Sequence, residues 1–183
     1  MVKLFVMLKL RKYGFSALEL MTAMAIVAIL LSTAVPAFKN YSWNLRMKTT
    51  MEILQTDLNL ARSRAISLST ATVICTADEL PVCTTSGVWQ HGWIVFTDIN
   101  GDRQRQPGEP ILKQTTAFEL IEISSSRSRS TLRFYPNGTA PGSNVSILFC
   151  DRRGADYASR ITVSSSGRIR AQTGGVESRV NCL

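Results

Sequence analysis

Hydrophobic residues follow two different patterns along the chain, and the change comes near residue 70. An apolar run covers residues 18–37, and from residue 15 to residue 35 the only ionisable side chain is Glu19. At about 1.5 Å per residue, those 21 residues form a helix of roughly 31 Å, enough to cross the hydrocarbon core of a membrane. Residues 15–37 are therefore predicted to be a membrane-spanning helix.

The helix is predicted to continue as an amphipathic segment over residues 38–70. Pro36 lacks an N–H and should kink the helix rather than end it. Apolar residues then recur at alternating steps of four and three, which places them on one face. They are Met47, Met51, Leu54, Leu58, Ala61, Ala65 and Leu68. The polar residues on the other faces are Arg46, Glu52, Asp57, Asn59 and Arg62. We expect the apolar face to pack on a domain core in preference to forming a coiled coil.

Beyond residue 70 the apolar pattern has a period of two, which is typical of strands. Clusters of Pro, Gly, Asn and Ser separate the segments. The predicted strands are 72–75, 88–97, 111–114, 118–124, 131–135, 145–150, 159–164 and 168–172. In the fourth of these, the apolar residues Phe118, Leu120 and Ile121 alternate with Glu119 and Glu122. One long helix followed by antiparallel strands is an α+β arrangement, with residues 71–183 as a single β-rich globular domain.

Charge is distributed asymmetrically along the chain, which has a formal net charge of +8. Residues 75–126 carry three basic and seven acidic side chains, whereas residues 127–183 carry nine arginines and only three acids. The C-terminal third is therefore the cationic part. Four more cations precede the apolar run, at Lys3, Lys9, Arg11 and Lys12. A basic flank of this kind predicts a cytoplasmic N-terminus, with the rest of the chain beyond the membrane.

The string Lys-Tyr-Gly-Phe-Ser-Ala-Leu-Glu-Leu at residues 12–20 resembles the prepilin peptidase site of type IV pilins and type II secretion pseudopilins. The resemblance implies that the peptidase removes residues 1–14 by cutting after Gly14 and methylates the new N-terminus at Phe15. It also implies that Glu19 neutralises the Phe15 amine of a neighbouring filament subunit, which offsets the desolvation of both charges. A secretory signal peptide is the alternative, but the apolar run is long for one and no clean small-x-small site follows. An ordinary membrane anchor is the other alternative.

The four cysteines, Cys75, Cys83, Cys150 and Cys182, lack the C-x-x-C spacing of a zinc ribbon. The single histidine, His91, cannot complete a Cys/His metal set. Beyond the membrane the thiols should be oxidised. Of the three possible pairings we favour the neighbour-first one, Cys75–Cys83 with Cys150–Cys182. Chain entropy gives these bridges about 2.5 and about 3.7 kcal/mol of stabilisation.

The segment 98–109 has oxygen-bearing side chains at several positions where a calcium-binding EF-hand loop has ligands. Its candidate ligands are Asp98, Asn100, Asp102 and Glu109. However, Arg103 occupies the position at which that loop needs glycine, and no helices flank it. We therefore favour a hairpin connection, in which Asp98 and Asn100 cap turns. Glu109 would then pair with Arg103 or Arg105, and no metal or other cofactor is expected.

Nothing in the sequence supports a catalytic function. His91 lies in an aromatic-rich stretch, with no carboxylate or nucleophile at a recognisable spacing. The serine runs 124–126 and 164–166 lack a lysine at the spacing used by Ser/Lys hydrolases. We expect that the protein is not an enzyme.

The arginines near the C-terminus are the clearest binding candidates. A hairpin that turns at 165–167 places Arg168 and Arg170 on one face of a strand, about 6.8 Å apart, with Arg160 across from them. Its inward-facing residues would be Ile161, Val163, Ile169 and Ala171. Two guanidinium groups on one rigid strand suit successive phosphates. Further arginines that extend this patch are Arg127, Arg129, Arg133, Arg152 and Arg153. The alternative is that scattered arginines only keep a secreted domain soluble.

Two further segments narrow the resemblance. The leader, Gly-Trp-Ile-Val-Phe-Thr-Asp at 92–98 and Pro-Gly-Glu-Pro-Ile-Leu at 107–112 together resemble the FimT/GspH family of minor pilins and pseudopilins. This implies the type IV pilin-like fold, a long N-terminal helix packed on antiparallel sheets. It also implies a single-pass inner-membrane protein with a periplasmic domain, which assembles with other pilins into an extracellular pilus.

The segment Gly167-Arg168-Ile169-Arg170 matches the Gly-Arg-any-Arg motif of the DNA-binding FimT proteins, which act in DNA uptake during natural transformation. By that resemblance Arg168 and Arg170 contact the DNA backbone, and Gly167 sets the turn. Binding should be independent of sequence, with log K falling against log salt at a slope of roughly −4 to −5 if four to six arginines each neutralise a phosphate. The alternative is a structural minor pilin or GspH-like pseudopilin of a type II secretion filament without DNA binding, since leader, helix and sheets fit both.

Overall fold

The computed structural model describes Gly14, residues 16–174 and Cys182. The chain divides into two compact units, Met1–Ser42 and Trp43–Leu183. A single helix, α1 (Ala17–Ser67), contributes its first half to one unit and its second half to the other.

The first unit is the apolar half of α1, and its start is determined by a local cap. The Glu19 N–H donates to the Ser16 hydroxyl oxygen at 3.2 Å, and the Leu20 N–H donates to the Ser16 carbonyl at 3.1 Å. Serine at the cap and glutamate three residues later is the order of a capping box, and an acid in the first turn favours the helix dipole. As predicted, the helix continues through Pro36.

This half of α1 is long and apolar enough to cross a membrane, although length and composition are the only grounds for that statement. Its large apolar side chains are exposed along the whole run, from Leu18 to Phe38. The hydroxyls of Ser32 and Thr33 donate to carbonyls one turn back, at 2.7 and 3.1 Å. Both hydroxyl groups therefore have hydrogen-bond acceptors within the helix and need no water when the helix lies in hydrocarbon.

The second unit contains two four-stranded antiparallel sheets. The strands in the described residues are β1 (Thr72–Thr76), β2 (Trp93–Thr97), β3 (Ile111–Thr115), β4 (Glu122–Ser125), β5 (Thr131–Phe134), β6 (Val145–Cys150), β7 (Ser159–Val163) and β8 (Ile169–Gln172). The first sheet has the order β3-β2-β1-β5 and the second the order β4-β6-β7-β8. The predicted α+β class and pilin-like arrangement are confirmed.

The core of this unit lies between α1 and the two sheets. Six of the seven predicted helix residues are buried in it, at Met47, Met51, Leu54, Leu58, Ala61 and Ala65. They pack with inward residues of both sheets, such as Trp93 and Phe149. Leu68 is an exception, because the helix ends at Ser67 and the Leu68 side chain is exposed.

Asp57 was also placed wrongly by the sequence pattern, on an outer face of the helix. It is buried, and its Oδ2 accepts hydrogen bonds from Trp93 Nε1 at 2.8 Å and from Thr115 Oγ1 at 2.7 Å. A buried carboxylate is tolerated when donors satisfy it. Asp57 thereby joins α1 to β2 and β3.

Two predicted strands are shorter than the sequence pattern indicated. The segment predicted over 88–97 becomes a strand only at Trp93, after Gly92 turns the chain with φ +116°. The segment predicted over 118–124 begins only at Glu122. Leu120 has φ +69° and is exposed, so the apolar alternation across 118–121 does not correspond to extended backbone.

The cysteines form two disulfide bonds, Cys75–Cys83 and Cys150–Cys182, so the neighbour-first pairing is confirmed. The first lies in a small cluster with Val73, Ile94 and Phe96, on the face of the first sheet opposite the main core. The second lies with Ala158 and Leu148. This second bridge holds the C-terminus against the outer face of the second sheet.

Candidate nucleic-acid interface

The predicted C-terminal hairpin is formed by β7 and β8. Its turn is closed by the Gly167 N–H, which donates to the Ser164 carbonyl at 2.8 Å, and by the Ser164 N–H, which donates to the Arg168 carbonyl at 3.0 Å. Arg170 pairs directly with Thr162, so both side chains lie on the outer face of the sheet.

The inward face of the hairpin is partly as predicted. Ile161 and Val163 are fully buried and Ile169 is half-buried. Ala171 is exposed, contrary to the prediction. The reason is that β8 is the edge strand of its sheet and lies at the margin of the core.

Gly167 occupies a site that excludes any side chain. Its φ is +75°, and a Cβ atom there would lie 1.9 Å from the carbonyl oxygen of Gly138. The same oxygen accepts a hydrogen bond from Arg62 Nε at 3.0 Å, and the Ala140 N–H donates to the Ser165 carbonyl at 2.8 Å. The turn is therefore fastened to the 138–140 loop, and through Arg62 to α1.

Arg168 and Arg170 both have exposed side chains. In the part of the chain that the structure describes, neither guanidinium forms an ion pair or a side-chain hydrogen bond. Both therefore keep their donors for an external anion. The nearby Glu177 lies outside the described residues.

Two further predicted arginines lie on or beside the outer face of the same sheet. Arg127 is exposed in the short turn Ser126–Ser128. Arg160 is half-buried and pairs with Leu148 on one side and Gln172 on the other. Arg160 and Arg170 are two positions apart across the β7–β8 pair and share a face, as expected.

Arg129 is half-buried, and its guanidinium donates to the carbonyl of Gly142. This contact joins the 140–144 loop to the residues that precede β5. Its backbone carbonyl also accepts a hydrogen bond from Trp89 Nε1 at 3.0 Å. Arg129 thus has structural partners already.

Three other arginines of the predicted patch contact groups elsewhere in the second unit. Arg153 clamps Asp151, with Nη2 2.7 Å from Oδ2, and also donates to Asn44 at 2.8 Å. The Arg152 guanidinium lies 5.2 Å from the centroid of the Trp43 ring. The structure therefore does not bring this Arg-Arg pair together with the hairpin.

Arg133, on β5, is the third, and its guanidinium contacts the 98–109 loop. Its Nη1 lies 3.5 Å from Asp98 Oδ2 and donates to the Gly101 carbonyl at 2.7 Å. The side chains of Arg133 and Asp98 are both largely buried, which makes this ion pair part of the domain's framework.

The 98–109 loop is built from internal hydrogen bonds. As predicted, Asp98 and Asn100 cap turns, by accepting backbone N–H groups at 2.8 and 3.0 Å. The prediction for Glu109 was wrong, because its carboxylate accepts the backbone N–H groups of Ile99 and Gln106 instead of pairing with an arginine. Such N–H donors are available at any turn, and their geometry is not visible in the sequence.

Hydrogen bonds hold the pKa of the Asp102 carboxyl below its usual value. Its carboxylate accepts the Gln104 backbone N–H, which lowers the pKa, and side-chain donors from Asn100 and Gln106 act in the same direction. Within the described ranges, no group of three or more His, Cys, Asp or Glu side chains is arranged to hold a metal ion.

His91 is exposed at the edge of the molecule, and its Nδ1 lies 3.5 Å from the Asp78 carboxylate. Both side chains are more than half exposed. The sequence analysis did not find this pair, in which Asp78 lies in the segment closed by the Cys75–Cys83 bond and His91 lies just before β2.

Comparison with known proteins identifies the family. The sequence profile of the family described as Type II transport protein GspH matches residues 50–167. The chain belongs to this family. A comparison with curated protein sequences finds no significant match.

Solved structures agree with the assignment to the GspH family at the level of the fold. The chain is similar to the type IV minor pilin FimU of Pseudomonas aeruginosa, at 21% identity and a TM-score of 0.56 over 68% of this chain and 91% of FimU. It is also similar to the minor pseudopilin EpsH of the type II secretion system of Vibrio cholerae, at 12% identity and a TM-score of 0.51 over 70% of this chain and 97% of EpsH. The chain thus combines membership of the GspH family with the fold of these minor pilins and pseudopilins.

The GspH match ends at Gly167, so Arg168 and Arg170 lie immediately beyond the matched residues. Their candidate role therefore depends on the Gly-Arg-any-Arg resemblance and on their own geometry. Arg62, which bonds to the loop under Gly167, lies 76 residues away from Gly138 in sequence. No sequence signal pairs those two positions.

The predicted prepilin processing site lies only partly within the described residues. Gly14 and Glu19 are both exposed, and Phe15 lies outside the described residues. The Gly14–Ser16 stretch precedes the first residue of α1.

Proposed function

We propose that this GspH-family protein is a minor type IV pilin that binds extracellular DNA, without sequence preference, for uptake in natural transformation. The observation that carries the proposal is the exposed pair Arg168 and Arg170. Both lie on a hairpin whose turn is fastened through Gly167, and neither has an acidic partner among the described residues. Guanidinium groups held in this way suit phosphate oxygens, and phosphate contacts dominate sequence-independent binding.

The proposal includes the route to the cell surface. Prepilin peptidase would remove residues 1–14 after Gly14 and methylate Phe15. The apolar half of α1 would then hold the protein in the inner membrane as a single-pass anchor, with residues 71–183 in the periplasm. Assembly with other pilins would carry this domain into the extracellular pilus.

A structural subunit without DNA binding is the second candidate. The observation that favours it is the family description itself, together with the similarity to the pseudopilin EpsH. In that case the chain would occupy a position in a pilus or in a type II secretion filament, and its arginines would serve solubility and subunit contacts.

The geometry revises the expected salt dependence. Arg133 and Arg153 form ion pairs within the domain, and Arg152 lies on Trp43. The Arg129 guanidinium already donates to Gly142, so Arg127, Arg168, Arg170 and the half-buried Arg160 remain for phosphates. With three to four phosphate contacts, the slope of log K against log salt on duplex DNA should be roughly −3 to −4. This is shallower than the slope of roughly −4 to −5 expected for four to six arginines.

The test uses the full chain in a non-ionic detergent and fluorescence anisotropy with a labelled duplex at several salt concentrations. Arg168→Gln/Arg170→Gln should weaken binding by about tenfold or more and reduce the magnitude of the slope by about 2, since each phosphate contact contributes about 1. The matched control is Lys48→Gln/Lys113→Gln, which removes the same charge from two exposed positions outside the 167–170 segment.

An equal loss in the control variant would show that only net charge matters and would remove the hairpin from the site. A parent protein that does not bind DNA would favour the structural subunit. Sequence-specific binding by the parent would contradict the proposed backbone contacts.

A further inference from the structure

A polar groove of about 540 Å³ lies on the outer face of the second sheet, beside the hairpin. Its polar lining residues are Ser126, Arg127, Asn144, Ser146, Thr162 and Ser164. No acidic side chain is among the described residues that line it. The groove therefore offers hydroxyl and amide donors together with one cationic end.

The strand register places a second cation at the opposite end. Ser146 pairs with Thr162, and Thr162 pairs with Arg170, so the three residues form one row across β6, β7 and β8. Neighbouring strands are about 4.8 Å apart, so the row is about 10 Å long. The Ser146 N–H donates to Ser126 Oγ at 3.1 Å, which brings the adjacent Arg127 to the β6 end of the row.

We propose that this groove seats one sugar–phosphate backbone, which runs across the strands from Arg170 to Arg127. This inference rests on the proposed DNA binding and adds the path of the strand. The two guanidinium groups pair with phosphates at the ends, and the hydroxyls of Ser146 and Thr162 donate to phosphate oxygens between them.

The size of the groove favours a polymer over a single small anion. The row is about 10 Å long and has a guanidinium group at each end, so it matches a strand with repeated phosphates. A free phosphate would meet one guanidinium and leave the other end of the row empty. Two cationic ends with neutral hydroxyl donors between them suit a chain whose charges repeat.

The C-terminal disulfide confines the path to one half of the sheet. Cys182 packs with Cys150, Ala158 and Leu148, and Leu148 is the β6 neighbour of Arg160. The row that contains Arg160 is thus bordered by Cys182, whereas Ser146 and Thr162 of the row that contains Arg170 line the groove. Arg160 and Arg170 share a face of the sheet, but the row of Arg160 contributes none of the described lining residues.

Two single variants of the full chain in detergent test the path of the backbone separately from the contacts of Arg168 and Arg170. Arg127→Gln should weaken DNA binding several-fold and reduce the magnitude of the salt slope by about 1. Thr162→Val keeps the side-chain shape but removes a donor, so it should weaken binding by roughly three- to tenfold and leave the salt slope unchanged, because no counterion is released. Thr162→Ser keeps the hydroxyl and should retain most of the parent affinity.

Thr131→Val is the matched control, since Thr131 is a half-buried strand residue that does not line the groove. Denaturation midpoints of all variants establish that each is folded, and Ser146→Ala replaces Thr162→Val if the latter is not. The path would be overturned if Arg127→Gln and Thr162→Val (or Ser146→Ala in its place) bind DNA as the parent does while Arg168→Gln/Arg170→Gln loses binding. That result would leave the proposed function intact. Absence of DNA binding by the parent would overturn both.

Discussion

Gly142 and Gly167 have nearly the same backbone angle, with φ of +72° and +75°, but very different surroundings. A Cβ on Gly142 would meet nothing within 4 Å, whereas one on Gly167 would lie 1.9 Å from the Gly138 carbonyl oxygen. The first position needs glycine for its conformation alone. The second needs it for the conformation and also for the close approach that fastens the hairpin turn.

We expect Gly167→Ala to lower the free energy of unfolding by at least about 3 kcal/mol, and Gly142→Ala by about 1–2 kcal/mol. The smaller figure is the cost of a left-handed conformation for a residue with a Cβ. The larger figure adds displacement of the Gly138 carbonyl, which Arg62 also contacts. Urea denaturation of the two variants measures the difference. Equal losses would mean that the Gly138 loop moves aside at little cost.

At the scale of elements, loops and termini depend on the two disulfide bonds. Cys75–Cys83 closes a segment with a sequence separation of 8 and holds the connection that leaves β1. Cys150–Cys182 closes a segment with a separation of 32 and holds the C-terminus on the second sheet. Both therefore restrict the unfolded chain, and the second restricts it more.

We expect Cys150→Ser/Cys182→Ser to lower the free energy of unfolding by about 3.7 kcal/mol, and Cys75→Ser/Cys83→Ser by about 2.5 kcal/mol, from chain entropy alone. Denaturant titration of the two double variants gives the comparison. The parent under reducing conditions should lose more stability than either variant. A larger loss for the short loop would show that packing around Val73 and Phe96, and not chain entropy, dominates.

At the scale of the whole molecule, the described residues of the first unit form no core, whereas the second unit has a complete one. The apolar side chains of α1 before residue 43 are exposed, whereas the described core residues all lie from Met47 onwards. Exposed apolar surface of that extent marks a membrane or a partner. Glu19 is the acidic residue of this segment and needs a cation wherever the helix is buried.

We expect Glu19→Ala to be processed normally but to enter filaments poorly, because the Phe15 amine of the neighbouring subunit loses its counter-charge. Immunoblots of sheared filaments and of whole cells measure assembly and processing separately. The control is Glu52→Ala, which removes the same charge from an exposed position on the same helix. Normal filament entry of Glu19→Ala would contradict the charge-pairing argument.

Much of the fold was predictable because it depends on local periodicity. The bounds of β6, Val145–Cys150, agree with the prediction, and the helix face from Met47 to Ala65 is buried as expected. Prediction failed where a residue with positive φ interrupts the pattern, as at Leu120. It also failed at Asp57, whose partners Trp93 and Thr115 come from another element.

The candidate site was predictable in its residue types but not in its arrangement. The amino-acid sequence by itself determined the apolar helix, the hairpin and the order Gly167-Arg168-Ile169-Arg170, since each depends on near neighbours. It also contained the Asp151–Arg153 spacing that neutralises one arginine, a signal that the sequence analysis did not use.

Only the tertiary structure decided which cations remain available and what lies between them. Arg133 meets Asp98, and Arg62 meets Gly138, across long separations in sequence. The row from Ser146 through Thr162 to Arg170 exists because three strands pair in one register. Strand pairing is set by the shared core, and no local pattern of residues encodes which surface positions it brings side by side.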